Sequence, residues 1–209
     1  MALSKTKGNM VHRPNMTMFM ALLTILGMLI SSNALADVAG RLLFARGDVQ
    51  LLRAGEAPRN AARGDSVEVD DSVQTGENSN AQIRMSDGAM IALRANTLFK
   101  VDQQVYQKDA PGEGSQTAEL LRGGMRAITG AIGHANPAAV SYKTPVATIG
   151  IRGTVIDVIY VPPEGLPGLP GVKPGLYTLV LKGQVEVSNP AGSLIVIPLG
   201  DQSVKTTSS

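Results

Sequence analysis

The acidic residues of this chain include one adjacent pair, Asp70 and Asp71, with Glu68 close by in the sequence. Paired carboxylates can act as general acid and base in sugar hydrolysis when both reach one substrate. Successive strand residues point to opposite faces of a sheet, so Asp70 and Asp71 are not expected to share a substrate. The three residues could cluster around calcium, but their spacing is not that of an EF-hand loop. We therefore predict neither a catalytic carboxylate pair nor a metal site here.

Histidine and cysteine are scarce, which excludes further classes of chemistry. The sequence has two histidines and no cysteine. Zinc sites normally use several such ligands, and a thiolate nucleophile needs cysteine. His134 lies in a loop-like setting between glycine and proline, without the nucleophile elbow of a serine hydrolase. We predict no catalytic residue, no metal and no cofactor, so the protein is expected not to be an enzyme.

Arg152 stands between Gly150 and Gly153 in an apolar, β-branched stretch that begins at Thr144 and Pro145. A guanidinium there could bind a partner's carboxylate, or it could bond nearby carbonyls and hold a bend. We favour the structural role, because a ligand site usually brings several convergent polar groups. Proline lacks an amide donor and is expected to open a strand, and both glycines are expected to mark bends or close backbone approach. The stretch lacks the lysine of a phosphate-binding loop.

The N-terminal residues 1–36 have the features of an export signal. Three basic residues precede an uncharged apolar run of 15 residues, 16–30. A membrane-spanning helix needs roughly 20 apolar residues, so the run predicts a cleaved signal peptide and no stable membrane span afterwards. Ala34 and Ala36 fit the small-x-small pattern before a cleavage site, with Asp37 as the first mature residue. We predict a periplasmic or secreted, cell-surface protein of a Gram-negative-type bacterium.

The charge balance argues against nucleic-acid binding. Residues 1–36 hold three of the 19 lysines and arginines and none of the 17 acidic residues, so the remainder carries 16 basic and 17 acidic groups. Its net charge of about −1 offers no basic stripe for phosphate contacts. Without cysteine, an exported chain must be held together by packing and backbone pairing alone.

Short strands separated by glycine-containing turns predict an all-β fold. Runs such as 41–45, 49–53, 81–85 and 89–93 are apolar or alternating, and turns recur between them. The stretch 117–128 is interrupted by two glycines, which favours a bent strand over a helix.

The turn around Asp87 can be predicted from strand register. A two-residue hairpin loop there would split the apolar residues between two faces of the sheet. A three-residue loop, with Gly88 left-handed, instead places Ile83 opposite Ile91 and keeps one face apolar. We predict the three-residue loop.

A Gly/Pro-rich stretch separates two sets of strands. Residues 162–175 include glycine at every third position, but too few triplets for a triple helix, which predicts a mobile, extended insert. Residues 37–161 are predicted to form the main β domain, and 176–204 to supply C-terminal strands to it, with a turn at Lys182-Gly183. The tail, 205–209, is predicted to be disordered.

Several short motifs occur in the order found in the FecR domain, and the chain resembles that family. The stretch 144–154 is similar to the closing motif of the domain, and the earlier motifs resemble its opening turns and central strands. The resemblance implies a β-solenoid or short β-helix, while the strand pattern alone leaves a β-sandwich as the alternative. A structural role is expected for the motif residues Gly64, Asp65, Gly76, Asp87, Gly88, Gly123, Gly124, Thr144, Pro145, Gly150, Arg152, Gly153 and Thr154.

FecR-type regulators join a cytoplasmic anti-sigma segment and a membrane helix to this periplasmic domain, which receives a signal from an outer-membrane receptor. Only 15 residues precede the apolar run here, so direct signalling to a sigma factor is not expected. The resemblance implies a non-enzymatic exported module that binds another envelope protein. The alternatives are a carbohydrate-binding or envelope-scaffold domain, which the lack of tryptophan disfavours, and, third, a polysaccharide-acting enzyme.

Overall fold

The computed structural model of the protein describes residues 37–198. The predicted signal peptide, with Ala34 and Ala36, and the predicted tail 205–209 lie outside these residues. The strands are β1 Val38–Arg46, β2 Val49–Leu52, β3 Arg59–Asn60, β4 Ser66–Glu68, β5 Ser72–Thr75, β6 Asn80–Met85, β7 Met90–Leu93, β8 Leu98–Val105, β9 Ser115–Ile128, β10 Val140–Lys143, β11 Thr148–Val161, β12 Gly175–Asn189 and β13 Gly192–Val196. The helical turns are the 3-10 turns Pro111–Glu113 and Pro137–Ala139 and the short helix α1, Ala131–Ala135.

The thirteen strands found within residues 37–198 hydrogen-bond into one sheet, which confirms the all-β prediction. The main path runs β13-β12-β11-β10-β9-β7-β6-β1-β4, and β8, β5, β2 and β3 branch from β9. Of the paired strands in this range, only β9 and β10 are parallel. The β-solenoid prediction is not confirmed, because the coils of a parallel β-helix stack strands in parallel, whereas antiparallel pairs predominate here. The β-sandwich alternative stays a prediction.

The core is built mainly from aliphatic side chains. Phe99 and Tyr142 are its largest fully buried side chains, and Leu120, Met125 and Ile149 are fully buried with them. The Tyr142 hydroxyl has no hydrogen-bond partner within the described part of the chain. Burial raises the pKa of Tyr142. The core is therefore stabilised by packing, and the buried Tyr142 hydroxyl opposes folding.

The β6–β7 hairpin has the predicted register. Ile83 lies opposite Ile91, and the Met85 N–H donates to the Ala89 carbonyl at 2.8 Å. Gly88 has a φ of +85°, the left-handed conformation that the three-residue loop requires. The loop of residues 86–88 is therefore confirmed, and the apolar residues of both strands face the core.

The predicted bend in β9 is also confirmed. Gly123 has a φ of +89°, and β9 pairs with β8 before it and with β7 after it. Ala118 and Leu120 are buried on one side of the bend, and Met125 and Ala127 on the other. The bend shifts the two-residue alternation by one position, which keeps both halves of the strand facing the core.

The predicted turn at Lys182-Gly183 is wrong, because β12 continues through it. The strand pairs with β11 on both sides of Gly183, whose φ is +79°. Val180 before this point and Val185 after it are both buried. Gly183 therefore forms a bulge that reverses the alternation within one strand, and an isolated Lys-Gly pair in the sequence does not distinguish a bulge from a turn.

The Gly/Pro-rich insert folds into consecutive turns and is not extended as predicted. The Gly165 N–H donates to the Pro162 carbonyl at 2.9 Å, and the Leu169 N–H donates to the Leu166 carbonyl at 3.1 Å. Glycines with φ near +80° make these turns possible, including Gly165 at +87°. Leu166 is only 8% exposed, so the insert is anchored by an apolar side chain.

Candidate functional site

The FecR-like closing motif begins as a tight turn between β10 and β11. The Thr144 N–H donates to the Ala147 carbonyl at 2.8 Å. The Thr144 hydroxyl donates to the same oxygen at 2.9 Å and accepts from the Ala147 N–H at 3.1 Å. Pro145 lies inside this turn, so the prediction that it opens a strand is wrong. Proline fits here because the turn's hydrogen bonds use the amides of its neighbours.

Only one of the two glycines beside Arg152 bends the backbone. Gly150 lies in regular β11 opposite Ser141, and a Cβ there would come no closer than 3.9 Å to another atom. The prediction of a bend or close approach at Gly150 is therefore wrong. Gly153 has a φ of +62°, and the register between β11 and β12 shifts beside it.

The bend at Gly153 reverses the inward alternation of β11. Ile149 and Ile151 are buried before it, and Ile156 and Val158 are buried after it. Without this shift, one half of the strand would turn its apolar residues to the solvent. The bend therefore allows β11 to bury apolar side chains in the core along its whole length.

Thr129, directly after β9, and Gly183 on β12 hold this bend in place. The Thr154 N–H donates to the Thr129 hydroxyl at 2.8 Å, and that hydroxyl donates to the Thr154 carbonyl at 3.0 Å. On the β12 side, a Cβ added to Gly183 would lie 2.5 Å from the Gly153 carbonyl oxygen. The two strands can approach this closely only because position 183 has no side chain.

Arg152 points away from the bend that it was expected to stabilise. Its guanidinium lies 3.7 Å from the Glu186 carboxylate on β12, and both side chains are about half exposed. No hydrogen bond from this guanidinium to a carbonyl occurs within residues 37–198. The pair borders an open groove of about 500 Å³, whose other lining residues are Asn136, Pro137, Ala138, Gly150 and Ile151.

The first motif turn is built around Gly64 and Asp65. Gly64 has a φ of +92°. The Asp65 carboxylate accepts hydrogen bonds from the Ala62 N–H at 3.0 Å and the Arg59 guanidinium at 2.7 Å. These two bonds hold the pKa of Asp65 below its usual value, with the Ala62 amide as the larger cause. The Asp65 carboxylate therefore stabilises the turn.

Asp87 also has a structural role. Its carboxylate is buried and accepts from the Ala89 N–H at 3.1 Å and from the Ile132 N–H at 3.3 Å, which ties the hairpin to α1. The Gly76 N–H donates to the Asp48 carbonyl at 2.8 Å, joining two further turns. Each bond satisfies a backbone amide.

The residues that could have done chemistry are not brought together. Asp71 is buried and accepts two hydrogen bonds from Arg53, at 2.9 and 2.7 Å, whereas Asp70 is exposed and pairs with Lys100 at 2.9 Å. His134 is exposed on α1, not in a loop as predicted. No group of three or more His, Cys, Asp or Glu residues that could hold a metal ion is found among the residues that the structure describes.

A charged group on the solvent-facing side of the sheet was missed by the sequence analysis. Arg126 donates to both oxygens of Asp157, at 2.8 and 2.7 Å, and the Arg94 guanidinium lies 3.2 Å from the same carboxylate. Arg126, and then Arg94, hold the pKa of Asp157 below its usual value. We call these three residues the arginine pair with its shared carboxylate. The sequence pattern indicates that these residues face outward. It does not show that they lie close together, because that depends on which strands are neighbours.

A cavity lies beside the arginine pair, beneath the Gly/Pro-rich insert. Its volume is about 170 Å³. We call it the insert cavity. Its walls come from the turn after β7, from β9 and β11, and from the insert: Arg94, Ala95, Asn96, Gly124, Ile159, Leu166, Pro167, Gly168 and Leu169.

An apolar stripe runs along β12 next to this cavity. Tyr177, Leu179 and Leu181 alternate along the strand, and each is 44–45% exposed. We call these residues the edge stripe. Tyr177 pairs with Ile159 of the cavity wall. The alternation is visible in the sequence, but it does not reveal that this face is left uncovered.

The architecture is that of an all-β domain whose long strands β9, β11 and β12 bend at glycine bulges. A family model described as FecR protein matches residues 71–186, which is more than half of the chain. The protein therefore belongs to the FecR family, whose members are regulatory, signalling-related modules. The matched residues include the closing motif, the insert and most of β12, while Gly64 and Asp65 precede them. A comparison with curated proteins gave no match. Among the described residues, no helix has the length and apolar character to span a membrane.

Proposed function

We propose that the protein is a non-enzymatic, exported FecR-domain module that binds another envelope protein through the edge stripe on β12. Membership of a regulatory family supports a role in binding rather than catalysis. FecR domains are periplasmic in the regulators that contain them, and the apolar run near the N-terminus followed by Ala34 and Ala36 supports export of this chain.

The observation that carries this proposal is the open edge of β12. Residues 176–182 pair with β11 on one side, whereas β13 covers only residues 185–189 on the other side within the described part of the chain. An open edge presents unpaired N–H and C=O groups to which a partner strand can add. Lys182 is the only charged residue in this segment, so little opposes such pairing.

The edge stripe adds side-chain recognition to this backbone pairing. Burying the exposed half of Tyr177, Leu179 and Leu181 contributes roughly 1 kcal/mol each. Because the three residues alternate, they face a partner from one side of the added strand. The partner is therefore expected to present an extended segment with apolar residues at alternate positions.

The test uses the full, tagged chain expressed in its own envelope. A stoichiometric protein partner is expected to co-purify with the wild type and with Val105→Lys, a control that places the same charge at an equally exposed apolar residue outside β12. Leu179→Lys is expected to abolish co-purification without changing the melting temperature, because the charge is placed on the open edge. Hydrogen exchange of the complex is expected to protect the amides of residues 176–182.

Other outcomes would replace the proposal. Retention of the protein on glycan columns, with no protein partner, would favour the carbohydrate-binding alternative. Turnover of a polysaccharide by the purified protein would establish an enzyme. Recovery of a mature chain that still begins at Met1, in the cytoplasmic fraction, would contradict export, whereas an N-terminus at Asp37 would support it.

A further inference from the structure

The insert cavity is held open by specific contacts. The Asn96 side-chain amide donates to the Pro167 carbonyl at 2.9 Å. This bond and the buried Leu166 side chain hold the insert over the cavity. A ligand therefore meets a formed wall and does not have to order the insert first, which lowers the entropic cost of binding.

The size of the cavity suits one apolar side chain. A Cβ added to Gly124 would lie 2.8 Å from the Arg94 side chain and 3.3 Å from Ile159, so the missing side chain at position 124 keeps the floor open. The volume of about 170 Å³ is close to the roughly 150 Å³ of an apolar cavity that accepts benzene. A leucine or phenylalanine side chain has the matching size.

The mouth of the cavity is positively charged. Arg94 lines the cavity, and its side chain is 52% exposed. Asp157 accepts two hydrogen bonds from Arg126, and one guanidinium nitrogen of Arg94 lies 3.2 Å from the same carboxylate. Two guanidinium groups thus share one carboxylate. Within residues 37–198 the Arg94 guanidinium has no polar contact other than Asp157, so it can also bind an anion, a function for which a planar guanidinium is well suited.

We propose that the insert cavity binds the C-terminal residue of a partner polypeptide, with its apolar side chain in the cavity and its terminal carboxylate on Arg94. The side chain and the terminal carboxylate are attached to the same Cα atom, so one residue can contact the cavity and Arg94 at the same time. An acidic neighbour within an extended segment would instead point to the opposite side of the peptide. This inference rests on the proposed function, because it assigns a second contact to the same protein partner.

The probe is acetyl-glycyl-glycyl-leucine, added to the isotope-labelled full chain and followed by NMR. Saturable amide shifts are expected at Gly124, Ile159 and Gly168. The same peptide with an amidated C-terminus is expected to bind about tenfold more weakly, because it lacks the charge-assisted hydrogen bond to Arg94. Equal affinity of the two peptides, shifts confined to other residues, or no saturable shift at millimolar peptide would overturn the proposal.

Three variants separate the two halves of the site. Arg94→Gln is expected to lower the affinity for the acid to that for the amide, and Arg126 still holds Asp157 in this variant. Arg63→Gln makes the same charge change at an exposed residue outside the cavity wall and is expected to change nothing. Ala95→Met fills the cavity and is expected to abolish binding of both peptides. Unchanged binding by Arg94→Gln and Ala95→Met would also overturn the proposal.

The peptide test is independent of the edge stripe. If Leu179→Lys loses its partner while the peptide fails to bind, only the cavity inference is rejected. If the peptide binds as expected but no protein partner exists, the proposed function is rejected and the cavity remains a site for small apolar acids.

Discussion

The Gly153–Gly183 bend and the outer face of the same strands differ in what their residues do. At the bend, the motif residues set backbone conformation, and the one charged side chain, Arg152, is half exposed with a distant partner. On the outer face, Arg94, Arg126 and Asp157 bond directly beside a cavity and an uncovered strand. The residues at the bend therefore set backbone conformation, whereas Arg94, Arg126 and Asp157 lie within the family match but outside the bend.

The largest effects are expected from valine at the bend. Gly183→Val should lower the free energy of unfolding by more than about 3 kcal/mol, because valine is strained at positive φ and its Cβ would meet the Gly153 carbonyl. Gly153→Val carries the same strain but meets no atom within 4 Å, so a loss of about 1–3 kcal/mol is expected. Urea denaturation measures both.

Gly150→Val is the matched control for this pair. Position 150 has ordinary strand geometry and space for a side chain, so a change within about 1 kcal/mol is expected. Equal losses at positions 150, 153 and 183 would contradict the assignment of the bend to Gly153 and Gly183. An unchanged melting temperature for Gly153→Val would do the same.

A smaller effect, of opposite sign, is expected in the core beside the motif. Tyr142 pairs with Ile149, and its hydroxyl is buried without a partner among the described residues. Tyr142→Phe should raise the free energy of unfolding by about 1 kcal/mol. A loss of stability would show that the hydroxyl is satisfied in solution.

The same residue predicts a pH dependence. Burial raises the pKa of Tyr142 in the folded state, so the stability does not depend on its titration below the ordinary tyrosine pKa of about 10 and falls as the pH rises above it, because the phenol ionises more readily in the unfolded chain. Wild type should therefore lose stability faster than Tyr142→Phe in alkaline urea titrations. Parallel curves for the two proteins would contradict full burial of the phenol.

On the outer face, Asp157 is expected to contribute modestly. The arginines hold its pKa below the usual value, so its contribution is present above about pH 4 and is lost as the pH falls through the lowered pKa. Asp157→Asn should cost less than about 1 kcal/mol at neutral pH and flatten the acid limb of the stability curve. If Asp157→Asn loses stability at acid pH as steeply as the wild type, Asp157 and its arginine partners do not contribute to the stability of the fold.

The smallest effect is expected at Arg152. The ion pair with Glu186 spans 3.7 Å between exposed groups, so Arg152→Ala should change stability by less than about 0.5 kcal/mol. Partner binding is expected to be unaffected as well, since the edge stripe lies elsewhere on β12. Loss of binding in a folded Arg152→Ala protein would show that the partner binds at the groove beside Arg152 and Glu186 instead of at the edge stripe.

Strand positions and the β6–β7 register were predictable because the alternation of apolar residues is a local property. Ile83 opposite Ile91 follows from that alternation and from one glycine. The Lys182-Gly183 turn and the extended insert were wrong for a related reason: glycine permits a bulge, a turn or an extended chain. Which of these forms depends on a neighbouring strand or on a residue such as Leu166 finding a place to be buried.

The sequence by itself determined the all-β class, the FecR resemblance and the lack of cysteine thiols, because composition, local alternation and short motifs carry that information. Only the tertiary structure decided which polar residues meet. Arg94, Arg126 and Asp157 come from three separate strands or turns, and they are neighbours because of strand order. Within residues 37–198, the unpaired edge of β12 at residues 176–182 likewise depends on where β13 ends, since a strand's free edge exists only relative to the strands that pair with it.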